Sequence, residues 1–132
     1  MKQSILYLDD EPACLNVFRD TFEKDFHVRT ASTSAEAHLL LSESPAEIVI
    51  SDQLMPEIAG TEFLRAVSEK YPDSCRVLLS GNTVVGTLLR EVGDGTVHLF
   101  VAKPWTKQSM LGALERADLY FRSRRRQASA RD

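Results

Sequence analysis

The stretch "SILYLDDEP", Ser4 to Pro12, decides how the chain is read. Four apolar residues, Ile5 to Leu8, run straight into three acids, Asp9, Asp10 and Glu11. A buried strand that ends in clustered negative charge is costly, because like charges in one crevice repel and raise each other's pKa. Such an end calls for something positive beside it.

Moving outward, similar short apolar runs recur as "FHVRT" (26–30), "EIVI" (47–50), "CRVLL" (75–79) and "HLFVA" (98–102). Helix-like spacing separates them. Leu15, Phe18 and Phe22 fall on one helical face, as do Phe63, Val67 and Tyr71, and then Val84, Val85, Leu88 and Val92. Thr33 and Glu36 have the spacing of a capping box, opening a helix through Leu39–Leu41. A last helix starts near Thr106 with Met110, Leu114 and Leu119, and runs into an Arg-rich tail. Strand and helix thus alternate five times, which implies an α/β fold with a parallel sheet covered on both faces. Strands 1 and 3 are continuously apolar, as central strands are. "FHVRT" alternates, which places strand 2 at or near an edge.

Composition sets the outer limits. A chain of 132 residues suits one domain with a proper core, and 43% hydrophobic residues against 27% charged argue against disorder. No apolar run approaches the roughly 20 residues that span a membrane. The opening "MKQSILYLDDEP" does not read as a signal peptide. Cys14 and Cys75 lack metal-site spacing and read as reduced cytosolic thiols, and His27, His38 and His98 form no close pair, so zinc is not expected. Charge is uneven: residues 116–132 carry +4 and residues 1–115 carry −7.

In a parallel sheet the loops after the strands' carboxyl ends gather on one edge, where ligands bind. Asp9 and Asp10 follow strand 1, Asp52 follows strand 3 in "IVISDQLMP", Ser80 and Gly81 follow strand 4 in "VLLSGN", and Lys103 follows strand 5 in "FVAKPW". Three carboxylates favour a hard divalent cation, and so few of them, completed by phosphate oxygens and water, favour Mg²⁺ over Ca²⁺. A phosphoryl group explains the ammonium and the hydroxyl as well, since each can take one of its oxygens. A carboxylate can be the nucleophile, and Asp52, alone at the end of a central strand, is the candidate. Each residue taken singly has a plainer reading, a lone Asp at a strand end being usually a turn or cap residue. The joint register of five residues with complementary charge carries the inference.

These residues and motifs resemble the receiver domain of two-component response regulators over about residues 3–121. The resemblance implies a doubly wound, flavodoxin-like or CheY-like sheet of order 2-1-3-4-5 with five helices. In "LYLDDEP" it implies that Asp10 binds Mg²⁺ directly and Asp9 through water. In "SDQLMPEIAG" it implies Asp52 as phosphoacceptor, the backbone carbonyl of Leu54 as a further metal ligand, and Gly60 as the start of the next helix. "LLSG" supplies a switch hydroxyl, Ser80; "FVAKPW" supplies Lys103, a cis Lys103–Pro104 bond and the switch aromatic Phe100. Leu54 and Asn82 occupy the positions that tune dephosphorylation in this family. The resemblance further implies a histidine kinase or phosphotransfer protein as donor and a switched face made of helix 4, strand 5 and helix 5. Dimerisation or a C-terminal output domain would read that face. The "LLSGN" and "AKPW" details are similar to receivers often fused to HD-GYP, cyclase, PAS or kinase modules. The domain is expected over 1–121, with 122–132 a basic helix extension or linker.

Other classes fit less well. A pseudo-receiver acting only as an interaction module would not need Asp9, Asp10, Asp52, Ser80 and Lys103 intact. A haloacid-dehalogenase-type phosphatase would want an acid at Leu54, and a dinucleotide domain a Gly-rich first turn. "GNTVVG" (81–86) lacks the lysine of a phosphate-binding loop, because Thr87 follows. The Arg tail reads as a solvated linker rather than a nucleic-acid reader. A phosphorylatable signalling domain in the cytoplasm, without turnover of an external substrate, is the expectation.

Overall fold

Residues whose side chains alternate between two buried faces make the central strands apolar at every position. In the computed structural model, which describes residues 2–81 and 94–131 with side chains to 123, this is the case. The chain runs β1 (Gln3–Leu8), α1 (Pro12–Phe22), β2 (Phe26–Ala31), α2 (Ser34–Glu43), β3 (Ile48–Asp52), α3 (Gly60–Lys70), β4 (Cys75–Ser80), β5 (Leu99–Ala102) and α4 (Lys107–Arg131). The strands form one five-stranded sheet in the order β2-β1-β3-β4-β5, and each neighbouring pair is parallel. The edge place of β2 matches its alternating sequence. The fourth helix expected from Val84, Val85, Leu88 and Val92, and Asn82, lie outside the described residues, so α4 here is the fifth helix of the sequence expectation.

Ile5 and Tyr7 of β1, with Ile48, Ile50, Val77 and Leu79, pack on one face against Leu15, Phe18 and Phe22 of α1 and Met110, Ala113, Leu114 and Ala117 of α4. Leu6 and Leu8, with Val49 and Leu78, pack on the other against Ala37 and Leu41 of α2 and Phe63, Leu64 and Val67 of α3. This is a doubly wound sheet. Each large apolar side chain so buried contributes about 1.5–3 kcal/mol, which holds the strand ends in fixed register.

Local sequence sets the helix ends. Thr33 Oγ1 accepts from the Glu36 amide at 3.1 Å. The Glu36 carboxylate accepts in return from the Ser32 amide at 3.0 Å, one residue earlier than a standard capping box places it. Thr106 and Ser109 cap α4 reciprocally, each side-chain oxygen accepting the other's amide at 2.9 and 3.0 Å. One expected core residue differs: Leu119 is 67% exposed, because Met110, Ala113, Leu114 and Ala117 carry the inward face of α4. Tyr71 caps the end of α3 and, half-buried, still packs on the core.

Candidate functional site

The parallel register brings the strand ends to one edge. Leu8 pairs with Ser51, Asp52 with Leu79, and Ser80 with Ala102. Asp9 and Lys103 extend the ladder, their amides donating to Ala31 O at 3.2 Å and Ser80 O at 3.1 Å. Asp9 and Asp10 therefore stand beside Asp52 and Lys103.

The carboxylates of Asp9, Asp10 and Asp52 each place an oxygen within 4.8 Å of the others. Asp9 is fully buried, Asp52 nearly so, and Asp10 is exposed. Lys103 Nζ lies 3.2 Å from Asp9 Oδ2 and 3.2 Å from Asp52 Oδ1, bridging the two buried acids. Asp9 also accepts from the Glu11 amide at Oδ1, 3.0 Å, and from the Tyr7 hydroxyl at Oδ2, 2.5 Å. Burial, then the Asp9 charge, pushes the Asp52 carboxyl above the usual carboxylate range, and Lys103 only partly offsets this. Burial works against charge on Lys103 too, but Asp9 and Asp52 outweigh it and hold the ammonium firmly protonated. Burial, reinforced by Asp9, keeps the Tyr7 phenol protonated and so a donor. Negative charge is thus crowded and only partly neutralised. An all-oxygen donor set with one ammonium fits a hard divalent cation on chemistry alone.

Ser80 ends β4, buried, one residue beyond the partner of Asp52. Phe100 is half-buried and packs on the core under α2 and α3. Leu54 is 70% exposed in the loop after β3. Gly60 opens α3 and its amide donates to Gln53 O at 3.0 Å. A Cβ at Gly60 would overlap the Asp52 carbonyl and stand 2.9 Å from Leu78 Cδ1, so only glycine allows α3 to press this closely on the end of β3. The Lys103–Pro104 peptide is cis. Beside Lys103 opens a groove of about 500 Å³ lined by Glu11, Ala13, Cys14, Val17, Pro104 and Trp105.

Two residues at the site went unread in the sequence. Tyr7 sits two before Asp9, and the strand period of two points both side chains the same way. Trp105 packs edge-on against Phe18 at 6.0 Å between ring centroids, which fixes the loop after Lys103. The one available signal for Tyr7 was a hydroxyl in an otherwise apolar run.

A doubly wound parallel sheet with this carboxylate–ammonium cluster at its carboxyl edge has the architecture of a CheY-like signalling domain. The chain belongs to the response regulator receiver domain family, whose model matches residues 5–115. It is 31% identical over 114 residues to the hydrogenase transcriptional regulatory protein HoxA of Cupriavidus necator, a match covering 86% of this chain and 24% of HoxA. The chain therefore spans about a quarter of the length of such relatives. Among solved structures it is similar to one described as adenylate cyclase from Rhodopirellula baltica, with TM-score 0.92, 25% identity and coverage of 98% and 97% of the two chains. It is also similar to the signal receiver domain of an HD domain-containing protein from Pseudomonas fluorescens Pf-5, with TM-score 0.86, 25% identity and coverage of 95% and 93%. Among the described residues no helix is long and apolar enough to cross a membrane.

Proposed function

We propose that Asp52 is the phosphoacceptor of this receiver domain. The observation that carries the reading is Lys103 Nζ at 3.2 Å from both Asp52 Oδ1 and Asp9 Oδ2, within a cluster of three acids. An Asp52 oxygen attacks the phosphorus of a phosphohistidine, on a histidine kinase or phosphotransfer protein, or of a small phosphodonor such as acetyl phosphate. The new O–P bond forms as the bond to the imidazole or acetate breaks, and the electron pair leaves with that group. Asp9, Asp10, Asp52 and the Leu54 carbonyl would hold Mg²⁺, which when bound neutralises charge on the phosphoryl oxygens. Lys103 takes one phosphoryl oxygen, and Ser80 takes another by drawing its loop inward. Gly81 eases that shift. Phe100 then turns into the space vacated, and the face beside β5 and α4 is reshaped.

The donor protein approaches across the groove of Val17, Pro104 and Trp105. The receiver proper spans 1–121, and the basic segment 122–132, through which α4 runs to Arg131, leads toward an output segment or a second copy. Matches to a transcriptional regulator, a cyclase and an HD-domain protein support a fused output but do not select one. Intact-mass analysis after acetyl phosphate and Mg²⁺ should show one added phosphoryl group in the parent and none in Asp52→Asn. Equal phosphorylation of the two would move the acceptor elsewhere.

A further inference from the structure

Asp9 is fully buried and accepts from three donors: the Glu11 amide on Oδ1, and the Tyr7 hydroxyl and Lys103 ammonium together on Oδ2. Lys103 is also the group that must serve the phosphoryl oxygens once Asp52 is modified, so this inference rests on the function proposed above. When Lys103 turns to the phosphoryl group, Asp9 Oδ2 loses the ammonium it holds at 3.2 Å. A buried carboxylate oxygen stripped of its donors is heavily penalised, and that penalty would tether Lys103 to Asp9.

Tyr7 removes the tether. Its ring is fully buried and packs on Phe18 at 4.9 Å between centroids, and Phe18 in turn packs on Phe22 at 4.9 Å. The hydroxyl stays aimed at Oδ2 whatever Lys103 does. We propose that Tyr7 is a positioning residue for phosphorylation: its hydroxyl keeps Asp9 satisfied and so releases Lys103 to the phosphoryl group.

The consequence is a split between two ligands. With Mg²⁺ alone, Lys103 can remain on Asp9, and the loss of one of three donors is tolerated. With a phosphoryl group, the Tyr7 hydroxyl is the donor of this chain that remains on Asp9 Oδ2. Tyr7→Phe deletes only the hydroxyl and keeps the ring on Phe18. Mg²⁺ and then beryllofluoride, a phosphoryl analogue, are titrated into parent and variant at saturating Mg²⁺ for the second ligand. Trp105, the only tryptophan, lies in the next packing layer and gives the fluorescence signal.

Tyr7→Phe is expected to leave the Mg²⁺ midpoint within about twofold and to weaken beryllofluoride about tenfold, the scale of a hydrogen bond to a charged group. Tyr7→Leu, a second hydroxyl-free variant, should show the same split. Parent-like beryllofluoride affinity in Tyr7→Phe overturns the proposal. So does an equal loss of Mg²⁺ and beryllofluoride affinity, which would mark a merely structural role. Failure of the parent to bind beryllofluoride would instead count against the phosphoacceptor reading itself.

Discussion

At Asp52 a carboxylate is held where burial and the neighbouring Asp9 charge both oppose its ionisation, with Lys103 only partly compensating. Its pKa is raised in the folded state, so the fold binds protons more readily there than the unfolded chain does. Stability at this residue is therefore lost as pH rises through the ordinary carboxylate range toward the raised value. Asp52→Asn removes the charge at nearly the same shape and should stabilise the fold by about 0.5–2 kcal/mol at neutral pH without ligand, read as a higher thermal midpoint. A lower midpoint would mean the Lys103 contact outweighs the strain. Gly60 makes the opposite case. Gly60→Ala forces a methyl into the Asp52 carbonyl, and overpacking of that kind costs about 1–3 kcal/mol. Urea unfolding should show it, together with slower acetyl phosphate labelling because β3 must shift; undiminished stability would refute the close packing. The two thiols also separate at this scale. Cys75 is buried with its thiol pushed up to about 12, whereas Cys14 lies partly open on the groove with its pKa raised by burial and by Asp9. Ellman's reagent should label one thiol in the folded protein, and faster at higher pH. Prompt labelling of two would contradict the burial of Cys75.

Elements show why much of this was legible in the sequence and where legibility stopped. β1 and β3 announced themselves because both faces of a central parallel strand are buried, leaving no polar alternation to confuse the period. The edge strand β2 was equally plain for the opposite reason. The clustering of Asp9, Asp10, Asp52 and Lys103 was readable because each ends or closely follows a strand, and strand direction alone decides the edge they share. Leu119 misled because apolar spacing does not say which face of a long helix the domain covers, and Met110, Ala113, Leu114 and Ala117 already fill the inner face of α4. Arg76 was hidden inside "CRVLL". It is buried, and its guanidinium donates to the carbonyls of Tyr71, Ser74, Gly95 and Thr96, none of which a sequence pattern locates. Helix α2 supplies a pH test. His38 lies 5.0 Å from the Phe63 ring, and burial, then Lys70, lowers its pKa. Protonation then favours the unfolded chain, so stability contributed here is present above the ordinary histidine pKa and falls as pH drops below it. The thermal midpoint of His38→Gln should fall less than the parent's between neutral pH and pH of about 5. Parallel decline of the two would show that His38 does not titrate against the fold.

For the whole molecule the question is how a donor reaches an acid cluster that is mostly buried. The mouth of the site is asymmetric. On the side of α2 the narrower recess is lined by Asp10, Ser32, Thr33, Met55, Pro56 and Ile58. On the side of α1 the broader groove exposes an apolar wall, in which Val17 is 55% exposed beside Pro104 and Trp105. An exposed apolar strip next to reactive groups is the feature expected of a transient protein contact rather than of a solvated helix face. If Asp52 is the phosphoacceptor as proposed, a phosphohistidine carried on a protein would be presented across such a wall, whereas acetyl phosphate can enter without touching it. Val17→Glu places a charge in the strip while leaving Asp9, Asp52 and Lys103 untouched. Phosphotransfer from a partner kinase or phosphotransfer protein should fall about tenfold or more, the scale of a disrupted contact residue at an interface. Labelling by acetyl phosphate, followed by intact mass, should proceed at the parent rate. Equal slowing by both donors would place Val17 in the chemistry or the fold. No slowing by either would mean that the protein donor docks on another side of the site.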